Sequence, residues 1–230
     1  MPNSLAARAL DEPIAILTEL PSALLLVDCQ NRFACEPSPD GSFIPLPVVS
    51  FIDDLLTTAR AFGVPRFYVT VGSHMNGPYD GVNDTAPMLR RIADITGISD
   101  PGQLGIPDAR AGQEIVESLR PQAGEVWITK QRFSAFYETG LEIILRSAGV
   151  EALVVCGVAS YGSIYTTCID ANMRGFFAFV PSEATYGDDP VLHRSALNLI
   201  GSRNVIDIPT VRSAWESGGA VVSGGAVVSA

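Results

Sequence analysis

Lysine is all but absent from this 230-residue chain: Lys130 is the only one, and arginine supplies every other fixed positive charge. Histidine is nearly as scarce, with only His74 and His193. The net charge is −10, and without a basic face there is little to neutralise phosphates, which argues against a nucleic-acid partner. No apolar run approaches the roughly 18 residues that a membrane span needs, so a soluble protein with no membrane partner is expected. The four cysteines, Cys29, Cys35, Cys156 and Cys168, form no CxxC pair, and two lie in apolar segments; they read as reduced thiols of a cytoplasmic protein. MPNSLAARALDEP has no charged segment followed by an apolar core, so no signal peptide is expected. No GxGxxG or P-loop pattern occurs, which disfavours a nucleotide or electron-transfer role.

What remains is a regular alternation of two kinds of segment. With 47% apolar and 17% charged residues, the chain is long enough to bury the core of one large domain. Short apolar runs at Ala23–Asp28, Arg66–Val71, Glu125–Lys130, Val154–Gly157, Phe176–Val180 and Asn204–Ile208 read as six strands. Helical spacing occurs at Val48–Phe62, ended by Gly63, at Leu141–Ala148, ended by Gly149, beyond Ser163, and at Val191–Ile200. This order predicts an α/β fold, a doubly wound, mostly parallel six-stranded sheet with helices on both faces and right-handed crossovers. Residues 1–21 read as an arm or short helix, 22–212 as the domain, and 213–230, with its duplicated GGAVVS, as a flexible tail. The Gly-, Pro-, Asn- and Asp-rich segment 72–108 reads as an irregular active-site loop with one helix around Met88–Ala93.

Open parallel sheets bind ligands beyond the carboxyl ends of their strands. Asp28 ends the first strand, Lys130 ends the third, and Ser163 follows the fourth across the tight turn VASYGS. The small residues of that turn let backbone amides face a ligand, and the helix start adds positive potential. A nucleophile at Ser163 has N–H groups beside it, the local arrangement that an oxyanion hole requires. A strand-end lysine taken alone is most often a solvated charge. A chain that otherwise uses arginine, however, has a use for an amine here, because lysine responds strongly to burial and neighbours.

The segments LLLVDCQNRF and TKQRFSAFYETGLEIILRSAGVEALVVCGVA, with the turn that follows, resemble the isochorismatase-like cysteine hydrolase superfamily over about residues 22–208. The resemblance implies a doubly wound α/β fold, a homo-oligomer, a small-molecule substrate, no cofactor, and an Asp-Lys-Cys catalytic triad. By motif position the acid is Asp28 and the lysine Lys130, while the cysteine position, six residues after Gly157, holds Ser163. It further implies a cis peptide between Val158 and Ala159 that aims the backbone amides of Ala159 and Ser163 at the substrate oxygen. Pocket lining is expected from Gln30, Phe33, Phe136 and Tyr161, with Arg132 and Ser134 orienting the site or binding a polar substrate group. Nicotinamidases, one branch of the superfamily, add a metal site built from an Asp and histidines after the second strand. Here His74 stands alone in GSHMNG with no DxH pattern, so no metal is expected, and His193 is read as structural.

Serine at 163 is the main departure from the pattern. In the family mechanism the acid takes the thiol proton, the lysine stabilises charge, and the thiolate attacks a carbonyl to give an acyl enzyme. A hydroxyl is far harder to ionise than a thiol of pKa about 8.5, and the triad has no histidine base. Three readings stay open. The first is a hydrolase of a small amide, carbamoyl or ureido compound whose cysteine is replaced by serine, by engineering or naturally. The second is an isochorismatase-type vinyl-ether hydrolase, which needs no nucleophile, although VASYGS lacks the histidine of those enzymes. The third is a non-catalytic pseudoenzyme that keeps the pocket. Cys168, five residues along the helix, and Cys29, on the opposite strand face from Asp28, read as core residues rather than substitutes.

Overall fold

The computed structural model describes residues 12–72 and 109–218. Every residue of Ser22–Val27 (β1) is buried, and alternate side chains serve opposite sides of the sheet. Leu24 and Leu26 enter one core with Ile52, Leu55, Leu56 and Trp215. Ala23, Leu25 and Val27 enter a second core with Leu141, Leu145, Ile164 and Cys168. The strand is thus covered on both faces, as its unbroken apolar run demands.

Cys35–Pro37 (β2) and Phe43–Pro45 (β3) form a separate antiparallel pair. Arg66–Val71 (β4), Val126–Lys130 (β5), Ala152–Val158 (β6), Phe177–Pro181 (β7), Thr185–Tyr186 (β8) and Val205–Ile206 (β9) join β1 in the main sheet. The order is β5-β4-β1-β6-β7-β9, with β8 on β6, and every pairing is parallel. The helices Pro13–Glu19, Pro47–Ala61 and Ile208–Glu216 supply the first core; Leu141–Ser147, Tyr165–Met173 and Pro190–Ile200 supply the second. The chain runs outward from β1 through β4 to β5, then restarts at β6 and runs the other way. Neighbouring β1 and β6 therefore flank the point where the winding reverses, which is where such sheets bind ligands.

Two expectations are corrected. The sheet has a seventh strand among the described residues, because β8 pairs with β6 past the end of β7; two residues are too few to leave an alternation signal. Ile208, read as strand, opens a helix that runs to Glu216, into the segment read as tail. Asp207 caps it by accepting from the Thr210 N–H, Pro209 sits in its first turn, and buried Trp215 donates Nε1–H to Ser22 Oγ at 3.0 Å. Within the segment read as an arm or short helix, Pro13–Glu19 is a helix whose Ile16 and Leu17 belong to the first core. The segment read as a loop with a helix at Met88–Ala93, beyond Gly72, and the end of the tail lie outside the described residues. Among the described residues no helix is long and apolar enough to cross a membrane.

Candidate active site

Two adjacent strand ends, β1 and β6, bring the first elements of the site together. Val27 pairs with Gly157, and a Cβ at Gly157 would stand 2.0 Å from the Val27 carbonyl oxygen. With φ at +122° as well, only glycine lets β6 pass the end of β1 this closely. Asp28 leaves β1 with φ at +53°, a left-handed conformation that Asp tolerates better than most side chains. On the neighbouring strand the Val158–Ala159 peptide is cis, and a single π turn, Ser160–Ile164, follows and opens the Tyr165–Met173 helix. Lys130, the last residue of β5, arrives from the far side of β4.

These three polar side chains meet. Lys130 Nζ donates to Asp28 Oδ2 at 2.7 Å and to Ser163 Oγ at 3.1 Å, and the Ser163 hydroxyl donates to the same Asp28 Oδ2 at 2.6 Å. Asp28, Lys130 and Ser163 are 3%, 1% and 5% exposed. Lys130 also donates to the Arg132 carbonyl at 3.1 Å, and Asp28 Oδ1 accepts from the Val71 N–H at 3.0 Å. Burying an ion pair is tolerable when its remaining protons and lone pairs are matched in this way. Burial pushes the Asp28 carboxyl above its usual range, against the opposing pull of the Lys130 charge and of hydrogen bonds from Lys130, Ser163 and Val71. A carboxylate that already accepts a hydroxyl proton, with an ammonium beside both groups, is arranged for proton removal and for stabilising negative charge.

The other expected site residues divide. Ala159 lies between the cis peptide and the π turn that carries Ser163. Arg132 gives Lys130 its carbonyl, while its guanidinium donates to the Gln131 carbonyl at 2.8 Å. Phe33 and Tyr161 are more than a third exposed; Arg32 lies over the Phe33 ring, and the Tyr161 hydroxyl donates to Asp188. Gln30 and Phe136, expected in the pocket lining, and Ser134, expected to orient the site or bind a polar substrate group, each make contacts within the fold. Gln30 spends its side chain on backbone, accepting from the Val71 N–H at 2.9 Å and donating to the Val71 and Gln113 carbonyls at 3.1 and 2.8 Å. Ser134 donates to Asp170 and accepts from the Phe136 N–H. Phe136 sits in the second core, stacked on Phe176 with ring centroids 5.9 Å apart. His74 lies outside the described residues.

All four cysteines are free and buried. Burial pushes the thiols of Cys35 and Cys168 up to about 11 and about 12, and those of Cys29 and Cys156 upward too, so none is a ready thiolate. Sequence reasoning missed the Val71 N–H and the Arg132 carbonyl, since backbone groups leave no trace in residue type. It also missed Thr167, whose Oγ1 accepts from the Ala135 N–H at 3.0 Å and pins the loop after β5 to the helix after β6.

Comparison with known proteins agrees with this fold. The model of the isochorismatase domain matches residues 22–208. Ureidoacrylate amidohydrolase RutB of Yersinia enterocolitica is 30% identical over 190 residues, covering 78% of this chain and 80% of its own. Its counterpart from Methylobacterium radiotolerans is 30% identical over 204 residues, covering 81% and 75%. Among solved structures, an isochorismatase family protein from Desulfovibrio vulgaris has a TM-score of 0.67 at 27% identity, covering 85% of this chain and 98% of its own. A cysteine hydrolase from Pseudomonas syringae pv. phaseolicola gives 0.66 at 27%, covering 87% and 93%.

Proposed function

The chain belongs to the isochorismatase family, and from that premise we propose that it is an amidohydrolase acting on a small amide, carbamoyl or ureido compound, with Ser163 in the nucleophile's place. The observation that carries this reading is the buried triangle of Asp28, Lys130 and Ser163. The 30% identity to proteins named ureidoacrylate amidohydrolases supports the substrate class.

In this mechanism the Ser163 hydroxyl proton passes to Asp28 Oδ2 as Oγ bonds to the substrate carbonyl carbon. The C=O electron pair moves onto oxygen, where the N–H groups of Ala159 and Ser163 receive it. Collapse expels the amine, which takes the proton from Asp28, and water then hydrolyses the acyl enzyme. Lys130 holds the carboxylate in place and offsets negative charge through both steps. Serine is a weak nucleophile without a histidine base, so turnover in this chain is slow and the site is poised for cysteine.

The test is ammonia release from a panel of small amides and ureido acids, comparing the chain as it stands with Ser163→Cys. The thiol is expected to raise the rate by roughly 100-fold or more, equivalent to about 3 kcal/mol of barrier. If neither form releases ammonia from any member of the panel, the amidohydrolase reading is wrong.

A further inference from the structure

The turn that carries Ser163 is backed by side chains that the chemistry above does not use. Ser160, first in the π turn, is fully buried, and its Oγ lies 3.0 Å from Nδ1 of His193 on the Pro190–Ile200 helix. Tyr161, next in the turn, donates its hydroxyl to the Asp188 carboxylate. The packing between them is tight: a Cβ at Gly187 would stand 2.5 Å from Ser160 Oγ and 3.1 Å from the Tyr161 ring. The stretch from Gly187 to His193 thus grips the turn at two successive side chains. Three residues beyond Ser160, Ser163 reaches Asp28 and Lys130 from that same turn.

A buried hydroxyl whose proton loses its acceptor costs about 1–3 kcal/mol, so the state of His193 matters to the turn. A neutral imidazole has one ring nitrogen able to accept, and an imidazolium has none. His193 is partly buried, and burial draws its pKa below the ordinary 6.5. Among the described residues, the titratable groups on the elements packed against it are Tyr186, Asp188 and Asp189 leading into its helix, Arg194 beside it, Tyr161 on the turn, and Tyr165, Cys168 and Asp170 on the neighbouring helix. The three acids are engaged elsewhere: Asp188 with Tyr161, Asp189 with the N–H groups of Val191 and Leu192, and Asp170 with Ser134 and Arg174.

We infer that His193 is a positioning residue for the nucleophile: as the neutral imidazole it accepts the Ser160 hydroxyl proton at Nδ1 and holds the turn in the register that sets Ser163 Oγ against Asp28 and Lys130. Protonation reverses the contact: the imidazolium can only donate to Ser160 Oγ, the Ser160 hydroxyl proton loses this acceptor, and the turn loosens. The inference rests on the reading of position 163 as the nucleophile's.

The experiment uses the full chain carrying Ser163→Cys and follows two readouts, alkylation of the new thiol by iodoacetamide and ammonia release. The parent with Ser163 gives the background from the four buried cysteines. Adding His193→Ala is expected to slow alkylation and kcat by about tenfold near pH 8, with KM changed less than about twofold. Ser160→Ala should do the same, and the two together no more than either alone. His193→Asn puts an amide oxygen near the position of Nδ1 and never titrates. Its rates should stay within about twofold of the histidine protein near pH 8, and the Asn-to-His rate ratio should rise as pH falls toward about 5. Parental rates in His193→Ala at every pH, or an Asn-to-His ratio that stays flat with pH, overturn the inference; the Asn protein carries the test if the Ala protein does not fold. Alkylation needs no substrate, so a protein that alkylates as expected yet releases no ammonia rejects the amidohydrolase reading and leaves the role of His193 intact.

Discussion

Asp28 carries two demands that pull against each other. In the proposed mechanism its carboxylate stays ionised to accept the Ser163 proton, yet it is buried, and burial favours the protonated form. Lys130 reconciles the two by lying 2.7 Å away with its charge fully sequestered. In the Ser163→Cys background, Asp28→Asn is expected to keep the Val71 contact while losing the base. We expect kcat to fall by about 10²- to 10⁴-fold, the span typical of a lost general base, with little change in KM. With Asp28 in place, protonation of its carboxyl removes the base, so activity should be lost as pH falls through a midpoint above the ordinary 3.8. The pH profile of kcat/KM reads that midpoint, and a midpoint at or below the ordinary value would show that Asp28 is not the group being titrated.

The acid, the amine and the hydroxyl were legible in the sequence because each ends a strand or follows one, and because a single lysine in a chain of arginines stands out. Gln30, Ser134 and Phe136 lie just as near in sequence but turn to backbone, to Asp170 and to the core. Which way a side chain faces after a strand ends depends on the loop's path, and residue type does not record it. The partner of His193, which was read as structural, was hidden for the same reason: Ser160 lies 33 residues earlier in the chain.

Strands and helices with long apolar patterns, such as β4 and Pro47–Ala61, follow directly from periodicity. The final helix did not, because Asn204–Ile208 carries a strand-like run while the decisive signal was the Asp207 cap followed by Pro209. How β5 is held to its neighbours was equally hidden. Glu125, just before β5, has a fully buried side chain that accepts from Arg60 and Arg66 at 2.9 Å, from Tyr68 at 2.8 Å and from the Gln122 N–H at 2.9 Å. It thereby ties the Pro47–Ala61 helix and β4 to the start of the strand that ends in Lys130. Burial alone would push this carboxyl up, but the hydrogen bonds from Arg60, Gln122, Tyr68 and Arg66 outweigh it and bring it down to about 2. Its folded value lies below the ordinary 4.5, so the stabilisation is fully present above about pH 4.5 and is lost as pH falls through about 2. Glu125→Ala should cost about 2–3 kcal/mol in urea unfolding at neutral pH, since it takes the carboxylate from two arginine side chains that are only one-fifth exposed. The gap between parent and variant should narrow as pH is lowered from about 4.5 toward 2; a gap independent of pH would mean that the carboxylate's charge plays no part.

The doubly wound order sets the end of β1 against the turn after β6 and brings β5 in across β4, so Asp28, Lys130 and Ser163 come together only when strands distant in sequence are all in place. Lys130 is therefore both part of that cluster and the molecule's single ε-amine, and it is 1% exposed. Acylating reagents that in most proteins decorate a dozen surface lysines have, on these side chains, one target, and the native fold hides it. Mass spectrometry after brief treatment with an amine-reactive ester at rising urea should show one further adduct, appearing in step with the loss of tertiary structure. An adduct that forms well before the tertiary signal changes would reveal that the packing around Lys130 opens on its own, making this amine a built-in reporter of local breathing against a background free of other lysines.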